Sequence, residues 1–184
     1  MRDNIEMTNA KAEPETAEQY KARLAAYVDG KDPIEIQRQT PAILAHLIEG
    51  VSPEKLKQSP APGKWSISSI LAHLADDEIA SGWRYRQMVE NSGVTLSSFD
   101  QDEWARLGDY GSSDPGEALE MFRLLRAANL RMLARLTAEE WQCFGIHSER
   151  GKMTVKDLAS QMAGHDVNHI EQVRQILAVT EPRA

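Results

Sequence analysis

His165 and His169 stand four residues apart near the end of this 184-residue chain, in a segment whose inward register reads Val155, Leu158, Met162, His165, His169, Val173, Ile176. Both imidazoles therefore fall where a soluble bundle would pack leucine. An i,i+4 spacing stacks two ring nitrogens on one helix face, close enough to share a metal ion. The competing reading is a pair of core histidines bonded to carbonyls or water. Burial favours the metal, because a shared cation satisfies the inner nitrogens while the outer ones find acceptors of their own.

Two nitrogens fall short of a catalytic zinc site, which usually has three protein ligands and one open position. His73 is the candidate third ligand. It lies at the edge of a stripe formed by Ile67, Ile70, Leu71 and Leu74, so periodicity permits an inward imidazole without requiring one. Asp76 and Asp77 follow at i+3 and i+4, and each could orient an imidazole, bind the metal or act as general base. They could equally form a solvated acidic flank. Asn129, in the apolar register of another helix, faces either a neighbouring helix or the metal cavity. His46 reads as exposed, and His147 falls in a loop, at the surface or at the site rim. Arg84 or Arg86 could hold an anionic substrate. Arg123, Arg126, Arg131 and Arg135 read as a solvated outer helix face.

The elements that must position these residues announce themselves by their starts. Asp32-Pro33 and Asp114-Pro115 each place a capping acid before a proline suited to the first helical position. Ser66 caps a helix predicted over Ile67 to about Glu90, and Thr154 with Asp157 caps one reaching about Val179. The helix from Pro33 runs to Gly50, with Pro41 expected to kink or divide it. The helix from Pro115 is expected to run through Leu136, followed by a short helix opened by the Thr137/Glu140 capping box. A short extra helix covers Ala17 to Val28, after a flexible tail over residues 1–15, and residues 16–184 form one domain. The segments 52–64 and 91–113 are connections with a turn of helix each, and 145–152 is a loop or short extended stretch. No strand alternation of useful length is visible. The expected fold is all-α, a four-helix bundle.

A net charge of −7 argues against a nucleic-acid partner, which would need a basic face. One cysteine, Cys143, excludes an internal disulfide and suits a reducing, cytoplasmic setting. The first nineteen residues lack the apolar core of an export signal, and no apolar run is long enough to span a membrane.

The stretch Pro62-Gly63-Lys64-Trp65-Ser66-Ile67, then Ile70-Leu71-Ala72-His73-Leu74-Ala75-Asp76, with Gly164-His165-Asp166-Val167-Asn168-His169-Ile170, resembles the DinB-like superfamily of damage-inducible and YfiT-like proteins. That family is distinct from the translesion polymerase sharing the DinB name. The resemblance implies an up-down-down-up bundle, often a homodimer, with a divalent metal held by one histidine of the second helix and two of the fourth. Carried onto this sequence, those ligands are His73, His165 and His169. The family includes metal-dependent transferases that add a low-molecular-weight thiol, such as bacillithiol or mycothiol, to electrophiles, and a thiol-dependent maleylpyruvate isomerase. The expectation is thus a metal-dependent thiol transferase or hydrolase, with zinc or nickel favoured and iron or manganese also suited to imidazole. A low-molecular-weight thiol would be the cosubstrate, and Asp76 or Asp77 would handle protons. The alternative is a non-catalytic metal-stabilised bundle or a stress-response interaction protein.

Overall fold

The computed structural model describes residues 15–180. The tail expected over residues 1–15 lies outside the described residues except for Glu15, whose carboxylate accepts two hydrogen bonds from Arg23, at 2.9 and 2.7 Å. Seven helices follow: α1 (Ala17–Val28), α2 (Pro33–Ile48), α3 (Pro53–Lys57), α4 (Ile67–Glu90), α5 (Gln101–Leu107), α6 (Pro115–Leu133) and α7 (Val155–Thr180). The caps read from the sequence are formed. Asp32, Ser66 and Asp114 each accept a backbone N–H at their helix start, and Thr154 and Asp157 bond reciprocally.

Cross-helix bonds fix the directions of the four long helices. Ser68 bonds to the Ser113 carbonyl just before α6, and Asn129 bonds to Glu78, so α4 and α6 run parallel. Ser81 lies on Met162 and His73 on His165, so α7 is antiparallel to α4. Gln37 donates to the Ala159 carbonyl and the Thr40 hydroxyl lies beside the Asp166 carboxylate, which makes α2 and α7 parallel. The result is the expected up-down-down-up bundle, with α1 laid against α7.

Two apolar clusters divide the interior. One gathers Leu44, Ile70, Leu71, Leu74, Phe122, Ile170 and Val173; the other gathers Tyr85, Met88, Leu96, Leu133, Val155, Leu158 and Met162. Between them each of α4, α6 and α7 carries buried polar groups: Glu78 and Ser81, Arg126 and Asn129, Asp166 and His169. Arg126 is therefore no part of a solvated face. Only 1% exposed, it forks onto Asp166 (2.5 and 2.9 Å) and pairs with Glu78 at 2.9 Å. Burial works against its charge, yet the two carboxylates hold its pKa above the ordinary arginine value.

Helix α2 passes unbroken through Pro41. A proline there leaves the Gln37 carbonyl without its helical donor. Arg126 Nη1 supplies the missing bond at 2.9 Å.

Three further expectations are corrected. A three-stranded sheet joins β1 (Val94–Leu96) in parallel to β2 (Phe144–His147), and β2 in antiparallel to β3 (Gly151–Thr154). Strands of three or four residues are too short for alternation to register in sequence. Helix α6 ends at Leu133 rather than Leu136, its Met132 and Leu133 carbonyls met by the Arg135 and Leu136 N–H groups in tighter turns. The Thr137/Glu140 box is formed, but it opens only a 3₁₀ turn, Glu140–Gln142.

Helix α1 approaches α7 at Gly164, where a Cβ would stand 2.4 Å from the Leu24 carbonyl oxygen. Backbone cannot yield as a side chain would. Gly164→Ala is expected to cost about 1–3 kcal/mol by overpacking, outweighing the up to ~1 kcal/mol that alanine gains over glycine in a helix. A thermal melt should show a lower midpoint; an unchanged or raised one would mean that α1 is not seated this closely.

Candidate metal centre

Three imidazoles meet where α4 crosses α7. His165 Nε2 lies 3.1 Å from His73 Nε2 and 3.0 Å from His169 Nε2, and the three ligand atoms all fall within 4.8 Å of one another. Two ligands of a tetrahedral zinc, each about 2.0–2.1 Å from the ion, stand roughly 3.3 Å apart. The observed separations of 3.0 and 3.1 Å suit a shared cation. Ring orientation agrees with this: His169 Nδ1–H donates to Gln172 Oε1 at 2.7 Å, which leaves Nε2 with its lone pair turned inward. Among the described residues His165 Nδ1 is buried without a hydrogen-bond partner, so that ring's position is fixed by packing and by what its Nε2 meets.

Burial keeps the three imidazoles neutral. Burial, reinforced by the charge of His169, pushes His73 down to about 3, and burial pushes His169 down to about 4. His165 is held well below its ordinary value by burial and by its two histidine neighbours. All three are neutral, and so competent as ligands, at physiological pH.

Asp77 and Asp76 part company. Asp77 Oδ2 lies 3.4 Å from His165 Nε2 and 3.6 Å from His73 Nε2, and burial with the neighbouring Glu78 charge raises its carboxyl to about 7. Asp76 turns away and accepts a hydrogen bond from Tyr110 Oη at 2.5 Å. Tyr110 packs edge-on against Trp65, at 6.0 Å between centroids, and Trp65 packs on His73 at 4.8 Å. Asp76 thus anchors the aromatic stack behind His73.

The cluster opens into a cavity of about 680 Å³, lined by His165, His169 and Asp77 from the centre and by Trp65, Phe99 and Tyr20 around it. His73, 1% exposed, sits behind this floor. His147 is on β2, not in a loop; it is buried and lines the cavity, as does Arg84. Arg86 instead donates to the Gly82 carbonyl and to Asn129. Asn129 donates to both the backbone and the carboxylate of Glu78, which settles it as a helix-to-helix contact. His46 is exposed beside Glu49. Cys143 is half-buried against the second apolar cluster.

These shifts imply a pH dependence for the metal-free protein. Below ~6.5 the unfolded chain protonates imidazoles that the fold keeps neutral. The three histidines thus contribute stability that is present above that pH and lost on acidification, toward about 3 for His73 and about 4 for His169, with His165 also held well below its ordinary value. Asp77 acts oppositely: raised to about 7, it contributes stability at low pH that is lost as pH rises. Three imidazoles outweigh one carboxyl, so the melting temperature should fall steadily from pH ~6.5 to ~4. Calorimetry of chelator-treated protein checks this; a flat profile would mean that the rings protonate freely.

A parallel-paired helical bundle with three converging histidines, two of them at the floor of a polar cavity, defines a class of candidate metal-centre proteins. Within it, this chain belongs to the DinB superfamily, whose sequence profile matches residues 37–173. OB0413 of Oceanobacillus iheyensis is 24% identical over 138 residues, covering 73% of this chain and 78% of its own. YfiT of Bacillus subtilis is 22% identical over 160 residues, covering 86% and 90%. Both carry names that propose a metal-dependent hydrolase. The solved structure of Bacillus subtilis YfiT, a four-helix bundle of unusual topology, matches with a TM-score of 0.74 at 20% identity over 91% of each chain. The mycothiol-dependent maleylpyruvate isomerase matches with a TM-score of 0.58 at 12% identity, over 80% of this chain and 59% of that one. These structural likenesses show a shared fold. Among the described residues no helix is long and apolar enough to cross a membrane.

Proposed function

We propose that this protein is a divalent-metal-dependent enzyme that acts on a small electrophile, by hydrolysis or by transfer of a low-molecular-weight thiol. One observation carries the reading: of the three clustered histidines, His165 and His169 form the floor of a cavity of about 680 Å³, with His73 directly behind them, so the cluster is not sealed inside a closed core. The names of the relatives support hydrolysis, and the fold shared with a mycothiol-dependent isomerase supports a thiol. His73, His165 and His169 would hold the ion, with zinc or nickel favoured and iron or manganese also suited to imidazole. Bound by three neutral ligands, such an ion keeps its full charge and brings the pKa of a water or thiol toward ~7. Asp77, which lines the cavity 3.4 Å from His165 Nε2, accepts the proton that the nucleophile gives up. Asp76 holds His73 in place through Tyr110 and Trp65.

The closeness of Asp77 also favours a second reading, in which its carboxylate is a fourth ligand and the site is structural. His73→Ala separates the two. Protein purified without a histidine tag, loaded with zinc or nickel, would be assayed on an activated ester and on a model electrophile with a panel of thiols. The enzyme reading expects a variant that stays folded and loses turnover; a large fall in stability, with no turnover in the parent, would establish the structural reading.

A homodimer belongs to the same proposal. Ile79 and Trp83 on α4, and Met121 and Leu124 on neighbouring α6, are large apolar side chains left 43–63% exposed. Trp83→Glu is expected to shift sedimentation from dimer to monomer without lowering helix content, whereas a parent that sediments as a monomer would rule the dimer out.

A further inference from the structure

We propose that Arg84, His147 and Arg150 form a carboxylate-binding subsite on the sheet side of the cavity, which fixes the substrate as a small electrophile carrying a single carboxylate. The inference rests on the enzyme reading and names its substrate class. Arg84 is 7% exposed and lines the cavity, and it enters none of the ion pairs among the described residues; the Asp77 and Glu149 charges act on it only from beyond contact. A buried guanidinium without such a partner is costly, and the cost falls when an anion arrives. Its Nη2 donates to the Ser97 carbonyl at 2.7 Å, and its Cζ lies 5.6 Å from the Phe99 ring centroid, so the fork is held in place with donors to spare.

His147 is prepared in the same way. It is 3% exposed, and its Nδ1 accepts the Glu149 backbone N–H at 3.2 Å, which places the ring proton on Nε2. The sheet brings the two together: β1 leads into Ser97, which binds Arg84, and Leu96 pairs with His147 across β1 and β2. Arg150, on the exposed turn between β2 and β3, lines the same cavity. Two guanidiniums and an imidazole N–H match the planar oxygens of a carboxylate. A dianion such as phosphate fits worse, because Glu15, Asp77, Asp102 and Glu149 line the cavity too. Arg84 follows Asp77 by seven residues, two helical turns or ~10 Å along α4, which separates the anchored carboxylate from the reacting carbon.

Hexanoate, its neutral analogue hexanamide and inorganic phosphate would be titrated into metal-free and zinc-loaded protein, read by NMR at the His147 ring and the Arg84 Nε–H. Saturable hexanoate shifts are expected in both forms, with no response to hexanamide and a weaker one to phosphate. Arg84→Met and Arg150→Gln should each weaken binding about tenfold. Arg150 is exposed, so its replacement leaves folding untouched. Shifts confined to the zinc form and to His165, tighter binding of phosphate, or affinity unchanged in both variants would overturn the subsite. Hexanoate bound by a protein that takes up no zinc would overturn the metal reading alone, which keeps the two failures distinct.

Discussion

His165→Ala should abolish tight binding of zinc or nickel. Its Nε2 lies about midway in the cluster, 3.1 and 3.0 Å from the other two nitrogens, so its removal leaves His73 and His169 without a common neighbour. Loss of a partner outside the coordination shell typically costs 10–100-fold in affinity, and loss of a direct ligand should exceed about 100-fold. Calorimetric titration measures this directly. Thermal stability gives a second reading: metal at about 100 times its Kd adds ~2.7 kcal/mol, which raises the melting temperature of a domain this size by roughly 5–11 °C. The variant should show no such rise and melt near the metal-free parent. Equal affinity in variant and parent would place the metal elsewhere.

The largest loss of stability is expected at Arg126→Leu. The substitution leaves Asp166 and Glu78 facing each other in the interior without their shared cation, and strips the Gln37 carbonyl of its substitute donor. Breaking a buried ion pair from one side costs about 3–5 kcal/mol, or roughly 6–20 °C in melting temperature. Replacing the group as a whole, Arg126→Met with Glu78→Met and Asp166→Leu, should recover most of that loss. Chemical denaturation of the single and triple variants decides it. A single variant within ~1 kcal/mol of the parent would show that the pairing contributes little.

Why Arg126 escapes a reading of the sequence is instructive. Phe122, Arg126, Asn129 and Leu133 follow one another at intervals of four, three and four, so the helical register does place the arginine inside. What α6 alone cannot display is the compensation, because Asp166 and Glu78 lie on two other helices. The starts of α2, α4, α6 and α7 are legible because a cap is a local event completed within four residues. His165 and His169 are legible for the same reason, being neighbours on one helix face. His73 is joined to them only by the crossing of α4 over α7; periodicity left it open and the resemblance supplied it. The sheet, built from strands of three or four residues far apart in sequence, left no such local mark, and with it went the burial of His147. Which of Asp76 and Asp77 faces the cluster depends on Tyr110, thirty-four residues from Asp76.

The polar layer between the two apolar clusters acts as a vernier for helix position. A slip of α7 by one turn, ~5.4 Å, would carry Asp166 into an apolar stratum and pull His165 and His169 out of line with His73. No arrangement with intact helices but shifted contacts reproduces the three-nitrogen constellation. Stoichiometric metal uptake would therefore be a gauge of correct register, and a collapsed, loosely packed state of this chain would retain its helical signal while losing that capacity.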